Sequence, residues 1–165
     1  YSADITRTFP VNGKFTKEQM IIYNIVLEAQ EAGIAACVPG SRFWAANQAA
    51  TNVIIKRLMQ LKLIKERNEY RDYFMHGTSH YLGLDVHDVG DYAQFGRSRT
   101  LEPGMVFTVE PGLYFRSGGE AGAARFAGIG VRIEDDFLVT SSGCDNLTGA
   151  LPTSADSVAE LVGRE

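Results

Sequence analysis

Cysteine, histidine and long apolar runs are all scarce in this chain of 165 residues. Its two cysteines, Cys37 and Cys144, are too few for the disulfide framework of a small secreted domain; they could pair, but we expect unpaired core thiols in a reducing cytoplasm. No stretch approaches the ~20 apolar residues of a membrane span, and no N-terminal signal is visible. A formal charge of −4 gives no reason to expect nucleic acid as a partner. We therefore expect a cytoplasmic globular domain without membrane or nucleic-acid partners, whose 45 % hydrophobic residues can supply one core.

The start of the chain is informative by itself. The first residue is Tyr1 rather than methionine, and a strand-like segment follows at once, so we expect a fragment of a longer protein. Ile5–Val11 is rich in β-branched and aromatic residues and leads into the turn dipeptide Asn12-Gly13. This segment is therefore predicted to be a strand.

Apolar spacing predicts two helices and then a strand-rich second half. Thr16 followed three residues later by Gln19 is a capping-box pattern, so the first helix is predicted to begin there and to end near Ala36. Ser41 is the predicted cap of a second helix that ends at about Leu61. Beyond them, glycines separate short apolar runs, which predicts a loop at 116–124 and strands at 81–86, 105–109, 113–115 and 129–139. The order of these elements indicates an α+β fold.

The three histidines of the chain lie within twelve residues, at His76, His80 and His87. His76 and His80 have the i, i+4 spacing of a zinc-binding helix, but Gly77 stands where the HExxH hydrolase motif has its glutamate general base. That motif is therefore excluded. A single histidine in such a run is more often a hydrogen-bonded structural residue, but three clustered beside glycines predict at least one metal-binding or catalytic histidine.

Three carboxylates, those of Asp4, Glu110 and Glu134, lie within apolar stretches. Glu110 closes the run that ends at Val109; its alternative role is a strand-end salt bridge with an arginine. Asp4 carries the weakest local signal, because aspartate also ends strands and caps turns. One imidazole and three carboxylates form a ligand set that suits manganese, iron or zinc. A divalent cation would also neutralise acids that are buried in strands.

Strand alternation around Glu134 places Arg132 and Glu134 on one face and Ile133 on the other. An arginine beside a metal ligand can orient the carboxylate or hold a substrate carbonyl. Asp135 and Asp136 are expected to be exposed.

The chain resembles the C-terminal metallopeptidase domain of the Xaa-Pro aminopeptidases (aminopeptidase P), close relatives of prolidase. Four ordered blocks carry the resemblance and cover nearly all of the chain: SADITRTFPVNGKFT, HGTSHYLGLDVHDVG, LEPGMVFTVEPGLY and GIGVRIEDDFLVT, followed by NLT. The resemblance implies the pita-bread fold shared with creatinase and methionine aminopeptidase, a curved antiparallel sheet with helices on its outer face. It also implies that residues 1–165 are a partial catalytic domain, roughly its last two-thirds. The fold would then be incomplete, without the N-terminal domain and the first part of the catalytic domain.

In that family five residues hold two divalent ions, usually manganese, with zinc, cobalt or iron as alternatives. By resemblance, Asp4 and Glu134 are the residues that bridge the two ions, and His80 and Glu110 are further ligands. The family's first metal aspartate has no match in this chain. One of the two metal sites is therefore expected to be incomplete.

The resemblance also implies catalytic and substrate-binding roles. Glu110 matches the residue that shuttles a proton, and His87 matches one that contacts the substrate or the developing tetrahedral intermediate. Arg132 and Tyr114 match residues that steady the ligands, with Arg132 counted as catalytic and Tyr114 as substrate-binding, and His76 is a weaker candidate for substrate binding.

The implied reaction is hydrolysis of the bond between an N-terminal residue and a following proline, in proline-containing peptides. A prolidase that cleaves Xaa-Pro dipeptides is one alternative, and a non-catalytic pita-bread module that binds peptides is another. The family also implies a homo-oligomer for the full-length protein, and little or no activity is expected from this chain alone.

Overall fold

The first long helix, α1 (Lys17–Ala35), begins where the sequence predicts. The Thr16 hydroxyl accepts a hydrogen bond from the Gln19 amide at 3.2 Å, and the Gln19 side chain accepts one from the Thr16 amide at 2.9 Å, which confirms the capping box. Its buried positions recur at three- and four-residue spacing and face the rest of the protein, at Ile22, Val26, Ala29 and Gly33. The computed structural model describes residues 2–118 and 121–162.

The second helix, α2 (Ala45–Gln60), starts three residues later than a cap at Ser41 predicts. Ser41 does not cap it; the Ser41 hydroxyl donates to the carbonyl of Ala36 at 2.9 Å instead. The backbone before the helix is already paired with a distant segment, since Phe43 N–H donates to the Arg99 carbonyl at 2.8 Å. The prediction of Ser41 as the cap was therefore wrong, because tertiary pairing keeps this segment out of the helix.

Seven short strands, all paired antiparallel, lie within the described residues. Their bounds are β1 Ala93–Gln94, β2 Arg97–Ser98, β3 Val106–Val109, β4 Gly112–Tyr114, β5 Gly130–Arg132, β6 Asp135–Val139 and β7 Cys144–Asn146. Three of them form a sheet in the order β3–β6–β7, and the others form two pairs, β1–β2 and β4–β5. Two 3₁₀ helices (Arg67–Asp72 and Ala121–Phe126) and a short C-terminal helix, α3 (Ala155–Leu161), complete the described part.

Helix α1 packs against α2 and against strands β3, β4 and β5. Gly33 permits this close approach, because a side chain there would begin 3.1 Å from a methyl carbon of Val109. The helices therefore cover one side of the strands and leave the other side for the functional residues. The α+β layout predicted from the sequence is confirmed.

Several predicted strands differ from the structure. Between Ile5 and Val11 only Thr6 is paired, in an isolated bridge with Glu134, and between 81 and 86 only Tyr81 is paired, with Phe107. The strand predicted at 129–139 is divided into β5 and β6. The predicted loop at 116–124 runs into the second 3₁₀ helix, and its residues 119–120 lie outside the described residues.

The prediction of unpaired cysteines is confirmed. Cys37 is buried, Cys144 is half-buried and both are free thiols. Within the described ranges, no helix is both long and apolar enough to cross a membrane.

Candidate metal centre

Four side chains that are far apart in sequence lie close together on the side of the strands away from α1. The Nε2 atom of His80 lies 3.2 Å from Oδ2 of Asp4 and 3.3 Å from Oε1 of Glu110. Ligand atoms of His80, Glu110 and Glu134 all lie within 4.8 Å of one another, and so do those of Asp4, His80 and His87. His80 belongs to both groups and is the centre of the cluster.

Backbone pairing with β3 explains why His80 and Glu110 are neighbours. The amide of Thr108 donates to the His80 carbonyl at 3.0 Å, and the amide of Glu110 donates to the Thr78 carbonyl at 2.7 Å. The segment around His80 thus runs antiparallel to β3. In such a ladder, side chains at facing positions point to the same side of the sheet.

The ring of His80 is oriented as a metal ligand would be. Its Nδ1 lies 3.0 Å from the Tyr81 carbonyl oxygen, which can only accept, so in the neutral ring that a metal ligand requires Nδ1 carries the proton and Nε2 carries the lone pair. Nε2 is buried and makes no hydrogen bond within the described residues, although two carboxylates lie near it. An imidazole nitrogen buried beside two carboxylate oxygens is a donor set that fits a divalent metal ion.

Glu134 is the most deeply buried acid of the cluster, with 1 % of its surface exposed. Burial raises the pKa of Glu134 to about 7; the Thr6 hydroxyl opposes this effect, whereas the charges of Glu110 and Asp4 add to it. Arg132 lies 3.6 Å away and compensates only in part. A bound cation would favour the charged form of Glu134 directly.

Asp4 is held by its backbone rather than by its side chain. Its amide donates to Oδ2 of Asp136 at 3.1 Å. Burial also raises the pKa of Asp136, whose Oδ1 is buried and makes no hydrogen bond within the described part of the chain.

Asp135 and Asp136 were expected to be exposed, and that expectation was wrong: they are 1 % and 2 % exposed. Asp135 is neutralised by Arg7 at 2.7 Å and also accepts hydrogen bonds from Gln30 at 2.9 Å and Thr148 at 2.6 Å. Arg7 is far away in sequence, which is why local alternation could not indicate this ion pair.

The remaining predicted site residues flank the cluster. His87 is exposed, and its ring stands perpendicular to that of His80 with centroids 4.3 Å apart. His76 Nε2 lies 2.8 Å from the hydroxyl of Tyr114, and its Nδ1 lies 2.7 Å from the Gly77 carbonyl. Burial raises the pKa of Tyr114, while Arg132 lowers it through charge and a hydrogen bond. Arg132, Tyr114 and His76 therefore form a hydrogen-bonded chain beside the candidate ligands.

Sequence reasoning missed two threonines that donate to the glutamates. The hydroxyl of Thr6 donates to Oε2 of Glu134, and that of Thr108 donates to Oε1 of Glu110 at 3.3 Å. The signal was present, because Thr108 and Glu110 are two residues apart, the spacing that places side chains on one face of a strand. Thr6 has the same spacing from Asp4.

The antiparallel strands with helices on one side and the histidine–carboxylate cluster on the other are the arrangement of a metal-binding domain. The sequence profile of metallopeptidase family M24 matches residues 1–141, and the chain belongs to this family. Its fold is the curved, antiparallel pita-bread fold with helices on its outer face, as predicted from the sequence blocks.

The chain is similar to named members of the family over nearly its whole length. It is 46 % identical to the Xaa-Pro aminopeptidase of Escherichia coli over 169 aligned residues, which cover 98 % of the chain and 38 % of that relative. The structure of aminopeptidase PepP from Pseudomonas aeruginosa is 44 % identical and superimposes with a TM-score of 0.94, covering 98 % of this chain and 38 % of that one. A zinc-substituted Escherichia coli aminopeptidase P in complex with product is 46 % identical with a TM-score of 0.89, covering 96 % and 37 %. The chain thus spans less than two-fifths of the length of these relatives.

Proposed function

We propose that this chain forms the metal-binding part of an Xaa-Pro aminopeptidase, an enzyme that hydrolyses the bond between an N-terminal residue and a following proline. The observation that carries the proposal is the buried Nε2 of His80, which makes no hydrogen bond among the described residues but lies 3.2 Å from a carboxylate oxygen of Asp4 and 3.3 Å from one of Glu110. The names of the similar proteins support the same activity. In the full-length protein we infer a cytoplasmic homo-oligomer that acts on proline-containing peptides, and we infer that residues 1–165 belong to its catalytic domain.

The candidate ligands are Asp4, His80, Glu110 and Glu134, and the metal we propose is manganese. Zinc, cobalt and iron would also suit one imidazole and three carboxylates. The resemblance implies five ligands for two ions, and four of the five positions have a match in this chain. We therefore expect one ion to bind firmly and a second to bind weakly.

A divalent ion supplies Lewis acidity when it is bound, which polarises a carbonyl group and lowers the pKa of a water molecule. Glu110 is placed to hold and move a proton, because it is half-buried beside His80 and its Oε1 is fixed by the Thr108 hydroxyl. His87 lies at the exposed edge of the cluster, from which its ring can donate a hydrogen bond to the oxyanion that develops on the substrate.

The hydrogen-bonded chain of Arg132, Tyr114 and His76 is placed to hold the substrate. Nδ1 of His76 faces the Gly77 carbonyl, so in the neutral ring Nε2 accepts from the Tyr114 hydroxyl, and the orientation of the imidazole depends on that of the phenol. Arg132 contacts both Tyr114 and the Thr6 hydroxyl. Through Thr6, these three hydrogen-bonded side chains are connected to Glu134. Proline lacks an amide proton and has a fixed backbone angle, so a dedicated, rigid pocket is required to recognise it.

Metal titration of this chain by calorimetry tests the proposed centre. With manganese, the wild type should bind one ion firmly, and Glu110→Gln should weaken binding at least tenfold while preserving side-chain volume. Glu102→Gln is the matched control, because Glu102 is an exposed acid shortly before β3. Equal affinities of wild type and Glu110→Gln would contradict the assignment of Glu110 as a ligand.

Peptide hydrolysis tests the proposed activity. The full-length protein loaded with manganese should release the first residue of Xaa-Pro-Xaa peptides and should leave the same peptides intact when alanine replaces proline. The 165-residue chain alone should show little activity. Cleavage of dipeptides only would favour a prolidase, and metal binding without any cleavage by the full-length protein would favour a non-catalytic peptide-binding module.

A further inference from the structure

Thr6 connects Glu134, the buried glutamate of the cluster, to Arg132, whose Nε lies 3.6 Å from the Glu134 carboxylate. Its hydroxyl donates to Oε2 of Glu134 and accepts a hydrogen bond from Nε of Arg132 at 3.1 Å. The backbone of Thr6 is also paired with Glu134, whose amide donates to the Thr6 carbonyl at 3.1 Å. The hydroxyl is therefore fixed at both ends and by its backbone.

The direction of these hydrogen bonds is determined by chemistry. The guanidinium of Arg132 can only donate and stays charged at every relevant pH, so the oxygen of the Thr6 hydroxyl must accept from it. The single hydroxyl proton then has to point at Glu134. Oε2 of Glu134 is consequently engaged as an acceptor, and Oε1 is the oxygen left for another partner.

We propose that Thr6 is a positioning residue for Glu134: it engages one carboxylate oxygen and thereby directs the other towards the metal ion. This inference rests on the proposed metal centre. It gives Thr6 a role of its own, because Thr6 would orient a ligand without binding the ion itself. The partners that orient metal ligands typically change metal affinity by 10–100-fold when they are removed. An effect of that size is expected here, because Glu134 is fully buried and cannot exchange the lost hydrogen bond for water.

Thr8 provides a matched control within the same segment. Its hydroxyl also bridges to the strand that carries the ligand, since it donates to the Arg132 carbonyl at 2.8 Å and accepts from the Arg132 amide at 3.1 Å. Both threonines are half-buried. The hydroxyl of Thr8 touches only backbone, whereas that of Thr6 touches the ligand itself. If a substitution only loosens the segment, Thr6→Val and Thr8→Val should therefore lower metal affinity alike. If the Thr6 hydroxyl positions Glu134, only Thr6→Val should lower it.

The test compares Thr6→Val, Thr6→Ser and Thr8→Val in this chain. Manganese affinity is measured by calorimetry, and the visible absorption of bound cobalt reports the coordination geometry. We expect Thr6→Val to lose 10–100-fold in affinity and to change the cobalt spectrum, while Thr6→Ser and Thr8→Val stay within about threefold of the wild type. Circular dichroism checks that each variant is folded, and Thr6→Ala replaces Thr6→Val if the valine methyl group prevents folding.

Three outcomes would overturn the inference and are distinguishable. Equal losses in Thr6→Val and Thr8→Val would show a structural effect of the segment. Wild-type affinity and an unchanged cobalt spectrum in Thr6→Val would show that the hydroxyl is dispensable for Glu134. Failure of the wild-type chain itself to bind manganese would instead reject the proposed metal centre, and the role of Thr6 with it.

Discussion

Glu134 should make the protein less stable as the pH rises when a chelator keeps metal ions away. Only 1 % of Glu134 is exposed, and the fold places it near the carboxylates of Asp4 and Glu110. Burial is the largest cause of its raised pKa of about 7. The hydrogen bond from Thr6 and the charge of Arg132 oppose this effect without cancelling it.

The sign and the size of the effect follow from linkage. Below pH 4.5, Glu134 is protonated in both the folded and the unfolded chain. Between pH 4.5 and about 7 the unfolded chain releases its proton while the folded chain keeps it, so the free energy of unfolding falls as the pH rises. Above about pH 7 Glu134 is charged in the folded state as well, and the free energy of unfolding falls no further because of this residue. A pKa displaced from 4.5 to about 7 corresponds to roughly 3 kcal/mol.

Urea denaturation from pH 4.5 to 8.5 in the presence of a chelator measures this contribution. Glu134→Gln removes the titrating group with little change in volume, so its free energy of unfolding should lack the decline that the wild type shows. Glu31→Gln, which changes an exposed acid on α1, should behave like the wild type. Saturating manganese should restore wild-type stability at pH 8. Parallel pH profiles for wild type and Glu134→Gln would refute the reasoning.

Two further predictions concern Arg7 and His87. Arg7→Ala leaves the buried carboxylate of Asp135 without its cation and should cost about 3 kcal/mol in urea denaturation, whereas Arg57→Ala, whose partner Glu28 is 42 % exposed, should cost less than about 1 kcal/mol. Equal losses of stability in the two variants would show that the buried Arg7–Asp135 pair contributes no more to the free energy of unfolding than the exposed Arg57–Glu28 pair. His87→Ala in the full-length protein should lower kcat for Xaa-Pro peptides tenfold to a thousandfold with manganese affinity unchanged, because one hydrogen bond to the transition state is lost. A loss of manganese affinity in His87→Ala would make His87 a ligand instead.

Elements that depend on neighbours in sequence were predictable. The capping box of α1 involves Thr16 and Gln19 alone, and strand β3 is a short run of β-branched and aromatic residues. Both were located within one residue of their observed bounds. The histidine–carboxylate cluster was predictable only in part: three clustered histidines and two glutamates in apolar runs indicated a site, whereas Asp4 was included because of the family resemblance.

Elements that depend on distant partners were not predictable. Ser41 is kept out of α2 by pairing of its segment with residues near Arg99, and Ser41 accepts a backbone hydrogen bond from Leu101 at 2.8 Å. Asp135 is buried because Arg7, 128 residues earlier, provides its charge partner. Local sequence assigns a charged side chain such as that of Asp135 to the solvent when no charge partner is visible nearby. The same limit hides β7 and α3, which are too short to show a period.

The strand period of two explains how a few strands build the whole site. Thr108 and Glu110 are two residues apart and hydrogen-bonded, and Arg132 and Glu134 are two residues apart and in ionic contact. Thr6 follows Asp4 at the same interval but donates across the bridge to Glu134. Each extended segment thus brings one ligand and one donor to the same face, and the donor of one segment can orient the ligand of the next. Because the donors only partly offset the mutual repulsion of the three carboxylates, the geometry that suits a cation is also the geometry that needs one.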